Sequence, residues 1–346
     1  MTRTVALGLD TFGDITMDAL GAQVSHAQVI RDVVEQGVLA DRVGVDAFNI
    51  GEHHRPDFAV STPEMVLAGI AARTSRIRLG SAVTVLSSDD PVRVFQRFAT
   101  LDAISNGRAQ ITVGRGSFTE SFPLFGFDLG DYGPLFEEKL ELLAEIRHER
   151  EVTWSGTVRA SLSRQRIYPT TDSGSLPIWV GVGGSPESVV RAARHGLPLI
   201  LAIIGCDPLR FTPYVELFRR ATGELGTGDH PVGVHSPGFI AETDDAAREL
   251  LYPHFKANRD RIGRERGWGP VTRDQYEAEI EAGSLYVGSP ETVARKIAGT
   301  ISKLDVQRFD LKYSNGPMPH EHSLRCIELY GTAVIPRVRE LLAQQA

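Results

Sequence analysis

Residues 77–113 read IRLGSAVTVLSSDDPVRVFQRFATLDAISNGRAQITV. The stretch opens and closes on short apolar runs rich in β-branched residues, 77–85 and 109–113. Runs of that kind, bounded by turn residues, read as buried strands. Between them Asp90-Pro91 offers an acidic cap and a proline near the first helical turn, where the missing proline N–H is not needed. A helical pattern fills 92–105, and Asn106-Gly107 closes it with two residues that tolerate the left-handed conformation. Strand, helix and strand in this order imply parallel strands joined by a right-handed crossover.

The same alternation runs outward from this unit in both directions. Further strands are expected at 5–10, 47–50, 177–182, 199–203, 232–240 and 308–313, which makes eight. Helices are expected at 27–43, 62–74, 135–150, 186–195, 212–225, 290–304 and 323–342. Several strands are apolar on both parities, as expected when both faces of a sheet are covered. Eight repeats predict an α/β fold, a closed (β/α)8 TIM barrel, over one domain spanning 1–346. An open Rossmann sheet is the competing arrangement, but no G-x-G-x-x-G follows the first strand. The least regular segments, 116–133 and 253–283, read as excursions from the barrel, the first lying after the fourth strand.

Composition narrows the function classes. The formal net charge is −7, and no run of five like charges occurs. A surface that tracks phosphates wants a basic stripe, so nucleic acid is not an expected partner. The two cysteines, Cys206 and Cys326, form no C-x-x-C pair, which fits a reducing cytoplasm. No apolar run approaches the roughly 20 residues of a membrane span.

Active sites of barrels lie at the C-terminal ends of the strands. The first strand ends in Asp10-Thr11-Phe12-Gly13 and the second runs into Glu52-His53-His54. Neighbouring residues on a strand face opposite ways, so the two histidines do not form a natural metal pair, and no further ligand set is read elsewhere. One imidazole on a backbone group and one in solvent is the structural alternative. Gly80-Ser81-Ala82 has side chains small enough for a flat molecule, or a helix, to come close. Gly114-Arg115-Gly116 puts a cation in an accessible loop, suited to a phosphate or to a salt bridge with Glu52. Gly183-Gly184-Ser185-Pro186 leads a strand into a helix N-terminus, where free N–H groups attract anions. A near-copy, Gly288-Ser289-Pro290, is read as structural capping only. Aromatic residues crowd the first excursion, and Phe12, Phe118 and Phe122 are candidates to line an apolar substrate pocket.

Taken in order, these pieces resemble the bacterial luciferase-like monooxygenase family. The resemblance covers nearly the whole chain. It is carried by Ile50-Gly51-Glu52-His53-His54, Leu79 through Leu86, Asp90-Pro91-Val92-Arg93, Asn106-Gly107-Arg108, Val113-Gly114-Arg115-Gly116, Phe125-Gly126 and His195-Gly196-Leu197-Pro198. It implies a reduced FMN whose ring lies on a cis peptide at Ala82-Val83, in a wall that includes Glu52 and Ser81. Arg115 with Gly183, Gly184 and Ser185 would take the phosphate. His53 would be the catalytic acid or base, an imidazole being able to titrate near neutral pH. The family chemistry implied is transfer of oxygen from dioxygen to a small organic substrate, with the flavin reduced by a separate NAD(P)H-dependent reductase. Gly114 stands where true luciferases carry a reactive cysteine, which argues against light emission and a long-chain aldehyde. A deazaflavin-dependent oxidoreductase and a flavin-binding protein without turnover are the alternatives on the same barrel. The resemblance also implies a homodimer formed through the helices at 27–43 and 62–74.

Overall fold

The computed structural model describes residues 5–18 and 20–345. Its strands are β1 (Ala6–Thr11), β2 (Ala47–Ile50), β3 (Arg78–Ser81), β4 (Thr84–Val85), β5 (Ala109–Gly114), β6 (Val152–Trp154), β7 (Leu162–Gln165), β8 (Ile178–Val182), β9 (Leu199–Ala202), β10 (Val232–Ile240), β11 (Tyr286–Gly288) and β12 (Arg308–Lys312). Eight of them form a closed parallel ring in the order β1, β2, β3, β5, β8, β9, β10, β12. The ring closes where β12 pairs with β1 from Ala6↔Arg308 to Asp10↔Lys312. The predicted (β/α)8 barrel is therefore the observed architecture.

The helices are α1 (His26–Arg42), α2 (Pro63–Ala71), α3 (Pro91–Ser105), α4 (Ser121–Phe125), α5 (Tyr132–Ile146), α6 (Pro186–Arg194), α7 (Thr212–Leu225), α8 (Asp244–Arg266), α9 (Arg273–Glu281), α10 (Pro290–Leu304), α11 (His320–Leu329) and α12 (Ile335–Ala343). Asp90 caps α3 by accepting from the N–H groups of Val92 and Arg93, and Asn106 ends it at φ 56°. Both signals were legible in the sequence. Among the described residues no helix is long and apolar enough to cross a membrane.

The strand interiors correct one expectation. Strand residues of one parity, such as Leu7, Leu9, Phe48, Leu79, Ile111, Val180, Leu201, Val234 and Phe309, are fully buried in the apolar core with the helices. The other parity is polar or small, with exceptions such as Trp179 and Ile200. Arg308 on β12 donates to Asn49 on β2 and to Gln110 on β5, and Gln110 donates to Asn49 at 2.9 Å. These strands are not neighbours, so the contacts cross the barrel interior. Arg308 also pairs with Asp310 at 2.8 Å and lies 4.8 Å from the centre of the Trp179 ring. Gly80 permits the meeting, because a Cβ there would stand 2.6 Å from Asn49 Oδ1 and 2.7 Å from Gln110 Cγ. The barrel is filled by a hydrogen-bonded polar network, as buried charges require.

Other departures are local. The run expected at 77–85 divides into β3 and β4, interrupted by a cis peptide between Ala82 and Val83. An antiparallel hairpin of β6 and β7 precedes β8. The second excursion begins at Asp244, with Pro253 inside α8, and ends by adding β11 to β10.

At the opposite end of the barrel Arg108 clasps the loops. Its guanidinium donates to the carbonyls of Ser105 (2.7 Å), Ile77 (2.7 Å), Thr74 (2.9 Å) and Ala71 (3.2 Å), and to Thr74 Oγ1 (3.0 Å). Replacing it leaves buried carbonyls unpaired, each worth about 1–3 kcal/mol. Arg108→Ala is expected to lower the unfolding free energy by roughly 3 kcal/mol in urea titrations, without changing ligand affinity at the distant mouth. A loss below about 1 kcal/mol would contradict this clasp.

Candidate active site

The mouth of the barrel is an aromatic box around His53. β2 ends at Ile50, and the chain then carries His53 beneath three phenylalanines. Its ring lies 4.4 Å from Phe58 in a stacked arrangement and meets the edges of Phe12 at 4.7 Å and Phe118 at 5.3 Å. Among the described residues its side chain has no hydrogen-bond partner. Burial, reinforced by the charges of Lys312 and Arg55 and by His54, lowers its pKa from 6.5 to about 3. With its pKa held that low, His53 is a neutral imidazole at neutral pH, in place of the group titrating near neutrality that the resemblance implies.

Phe12 joins His53 to a polar group that sequence reading did not single out. Besides Phe58 at 5.9 Å, it stacks on His235 at 6.1 Å, and Lys312 Nζ lies 4.5 Å from its centre. His235 hydrogen-bonds Asp10 through Nδ1, while Asp10 also accepts from Asn49 at 2.7 Å. Lys312 faces Asp14 at 3.4 Å and donates to the Ser314 carbonyl. His235 was hidden in an otherwise apolar run, and Lys312 was read only as part of a strand. The polar parity of those strands was the available signal.

Ala82 and Val83 form the adjacent wall. The Val83 side chain bears on β5 and β8 where both have glycine. A Cβ at Gly114 would stand 2.7 Å from Val83 Cγ2, and one at Gly181 would stand 3.1 Å from Val83 Cγ1. Gly114 is therefore coupled to Val83 by space alone. The Ser81 hydroxyl is committed within the wall, donating to the Thr112 carbonyl at 3.0 Å and accepting from Thr84 at 2.9 Å.

The predicted anion residues converge. Arg115 Nη2 reaches Ser188 Oγ at 3.4 Å, and the guanidinium lies 5.1 Å from the centre of the Tyr132 ring. Among the described residues no carboxylate pairs with it, Glu52 included. Ser185 caps α6 by accepting from Ser188 N–H, and its hydroxyl bonds Ser188 Oγ at 2.8 Å. Arg191 also donates to Ser188 Oγ at 3.1 Å. Gly183 has open space before it, and Gly184 adopts φ +108°. Arg115, a second guanidinium on Arg191 that also pairs with Glu137, two hydroxyls and a helix N-terminus thus share one corner, with the chemistry of a phosphate cradle in which Arg115 is the cation without a carboxylate. Ser188 and Arg191 follow the capping Ser185 by about one and two helical turns, a spacing from which they could have been read.

Glu52 and His54 turn away from the box. Glu52 accepts from Val85 N–H at 2.9 Å and pairs with His54 Nε2 at 2.8 Å. His54 meets the edge of Phe125 at 5.1 Å. Phe122 is also outside the box, fully buried against Tyr132 at 5.6 Å. Of the three candidate pocket aromatics, Phe12 and Phe118 reach His53 and Phe122 does not.

Both excursions meet over the box. Arg55 pairs with Asp57 at 3.1 Å, with Glu120 of the first excursion, and with Glu265 of α8 at 2.5 Å. Its guanidinium lies 4.5 Å from the Phe118 ring centre, and Arg266 lies 5.3 Å from it on α8. This cover leaves His53 only partly exposed, and that burial is the largest cause of its depressed basicity.

A pH prediction follows from that depression. Unfolded, His53 takes its ordinary value of 6.5; folded, it is held at about 3. Its neutral form stabilises the fold fully above about pH 6.5, and that contribution declines as pH falls toward 3. The His53 ring resonances are expected to stay unshifted between pH 8 and pH 5 in NMR spectra of histidine-labelled protein. An inflection near 6.5 would contradict the burial argument.

Comparison with known proteins identifies the family and the fold. The model of the luciferase-like monooxygenase family matches residues 11–307. The uncharacterized protein y4wF of Sinorhizobium fredii (strain NBRC 101917 / NGR234) is 31% identical over 292 residues, 82% of this chain and 84% of its own. The alkanal monooxygenase alpha chain of Photorhabdus luminescens is 28% identical over 236 residues, 67% of this chain and 64% of that one. Monooxygenase RslO1 from Streptomyces bottropensis superposes with a TM-score of 0.82 at 23% identity, covering 96% of this chain and 99% of the other. The oxygenating constituent of 3,6-diketocamphane monooxygenase from Pseudomonas putida, solved with FMN, gives 0.78 at 19%, covering 97% and 99%. An F420-dependent secondary alcohol dehydrogenase in complex with an F420-acetone adduct gives 0.75 at 16%, again covering 97% and 99%. These structural likenesses speak for the fold. The family match over most of the chain decides the rest: this chain belongs to the luciferase-like monooxygenase family.

Proposed function

We propose that the protein is a monooxygenase that uses reduced FMN and dioxygen to oxygenate a small organic substrate. The observation that carries the reading is Arg115, a guanidinium without a carboxylate partner among the described residues, set beside Ser188 and the N-terminus of α6. Arg115, Ser188, Arg191 and the N–H groups after Gly183 would hold the phosphate. The Ala82-Val83 wall and the aromatic box would receive the ring. Reduced flavin supplies the activation of dioxygen; a deazaflavin in the same cradle would supply hydride.

The chain's own residues orient, shield and hydrogen-bond. Phe12, Phe58 and Phe118, roofed by Arg55 and Arg266, keep water from the reacting centre. Neutral His53 can offer one ring nitrogen as donor and the other as acceptor to a substrate or oxygen species in the box. A separate reductase delivers the reduced flavin. The reading includes a homodimer through α1 and α2, supported by Met65 of α2, which is 72% exposed.

Arg115→Ala is expected to weaken reduced FMN binding by about 10- to 100-fold in anaerobic titrations while leaving riboflavin affinity unchanged, as loss of a charge-assisted phosphate contact would do. His53→Ala is expected to keep flavin affinity and lose about 10²- to 10⁴-fold in oxygen transfer. The assay is oxygen uptake with reduced FMN across aldehydes, alkanes and sulfonates. Tight binding of deazaflavin with hydride transfer, and no oxygen uptake on any substrate, would replace the monooxygenase reading. Parental turnover by a folded His53→Ala variant would remove His53 from the chemistry.

A further inference from the structure

Behind the wall that carries His53 lies a second cavity, a cleft of about 520 Å³. Glu52 and His54 form part of its lining, and α2, α3, α4 and α5, with Val158 and Arg159, contribute side chains to the rest. Neither His53 nor Arg115 nor Ser188 lines it, so it is separate from the cradle described above. Its size is that of small-molecule sites generally.

The charges in the cleft are unequal in how they are answered. Glu64 pairs with Arg97 at 3.0 Å, and Asp89 pairs with the same guanidinium. Asp90 pairs with Arg159 at 2.9 Å and caps α3. Glu52 is held by His54 and by the Val85 N–H. Lys139 is the exception. Its side chain is 2% exposed, yet among the described residues no carboxylate lies within ion-pair distance of it. Its ammonium donates to the Ser87 carbonyl at 2.7 Å and lies 4.1 Å from the centre of the Phe127 ring. An ammonium has three donors, and these contacts leave it without a counter-charge. Burial lowers its pKa from 10.5 to about 8, with Asp89 and Asp90 opposing from a distance. The rim beside it is apolar: Leu124 is 61% and Phe125 50% exposed, and both line the cleft with Phe127.

We propose that this cleft binds an organic carboxylate, its acid group on the Lys139 ammonium and its apolar body along Phe127, Phe125 and Leu124. A buried cation without a carboxylate, beside exposed hydrocarbon, matches a small amphipathic acid. A purely polar anion would leave the rim uncovered. The site stands on its own residues, whether or not the mouth binds a flavin.

Isothermal titration of the full chain with 3-phenylpropionate and with its neutral amide at pH 7 tests it. The acid is expected to bind about tenfold or more tightly than the amide, the value of one hydrogen bond to a charged group. Lys139→Met is expected to abolish that preference. Leu124→Glu places a negative charge on the exposed rim without disturbing the core, and is expected to weaken the acid at least several-fold more than the amide. This second variant decides the matter if Lys139→Met fails to fold. Arg115→Ala is expected to change nothing, which separates this cleft from the phosphate cradle. Equal affinity for acid and amide overturns the proposal. So does absence of acid binding at millimolar concentration, or loss of binding in Arg115→Ala with retention in Lys139→Met.

Discussion

The buried guanidinium of Arg308 is the constraint on which the barrel depends. It occupies the interior with Asp310, Asn49, Gln110 and the face of Trp179, and so ties β12 to strands with which it shares no ladder. A charge this deep is tolerable because Asp310, the two amide oxygens and the Trp179 ring surround it. The same network runs upward: Asn49 to Asp10, Asp10 to His235, His235 against Phe12, and Phe12 against His53. The side chains at the mouth are therefore set on a hydrogen-bonded floor, not on mobile hydrocarbon. The proposed seat for a flat ring at this mouth would benefit from such a floor.

Three consecutive residues show how one loop serves two compartments. His53 enters the aromatic box, while Glu52 and His54 bind each other and face the cleft behind it. Arg55 then bridges to both excursions and closes the roof. The alternation of side chains across an extended segment is enough to produce this division. It also means that Glu52 links the two sides, since its carboxylate holds Val85 just beyond the Ala82-Val83 wall.

What the sequence disclosed depended on whether the signal was local. Caps are local, and Asp90, Asn106 and Ser185 were read correctly because each acts on its own helix end. The strand positions were legible from their apolar runs. The interior was not, because the polar parity of β10 and β12 is distributed over short segments dominated by buried apolar neighbours. His235 and Lys312 become meaningful only when the ring closes and brings them beside Phe12. Pro253 misled in the other direction. A proline usually ends a helix, yet α8 runs through it, so the second excursion begins earlier than its irregularity suggested. Arg115 had two readings, a phosphate or Glu52, and only three-dimensional placement separates them: Glu52 is engaged with His54 and Val85, leaving Arg115 with Ser188. Phe122 was one of several aromatics in a single loop, and nothing local distinguishes the one that packs inward on Tyr132 from the one that reaches His53.

The corner formed by Arg115, Ser188 and the N-terminus of α6 is proposed as the cofactor phosphate site. Diffraction from crystals soaked anaerobically with reduced FMN tests it most directly. Phosphate density is expected within hydrogen-bonding distance of Arg115 and Ser188, with the ring extending toward Ala82, Val83 and His53. A phosphate bound anywhere else, with Arg115 left facing solvent, would contradict it.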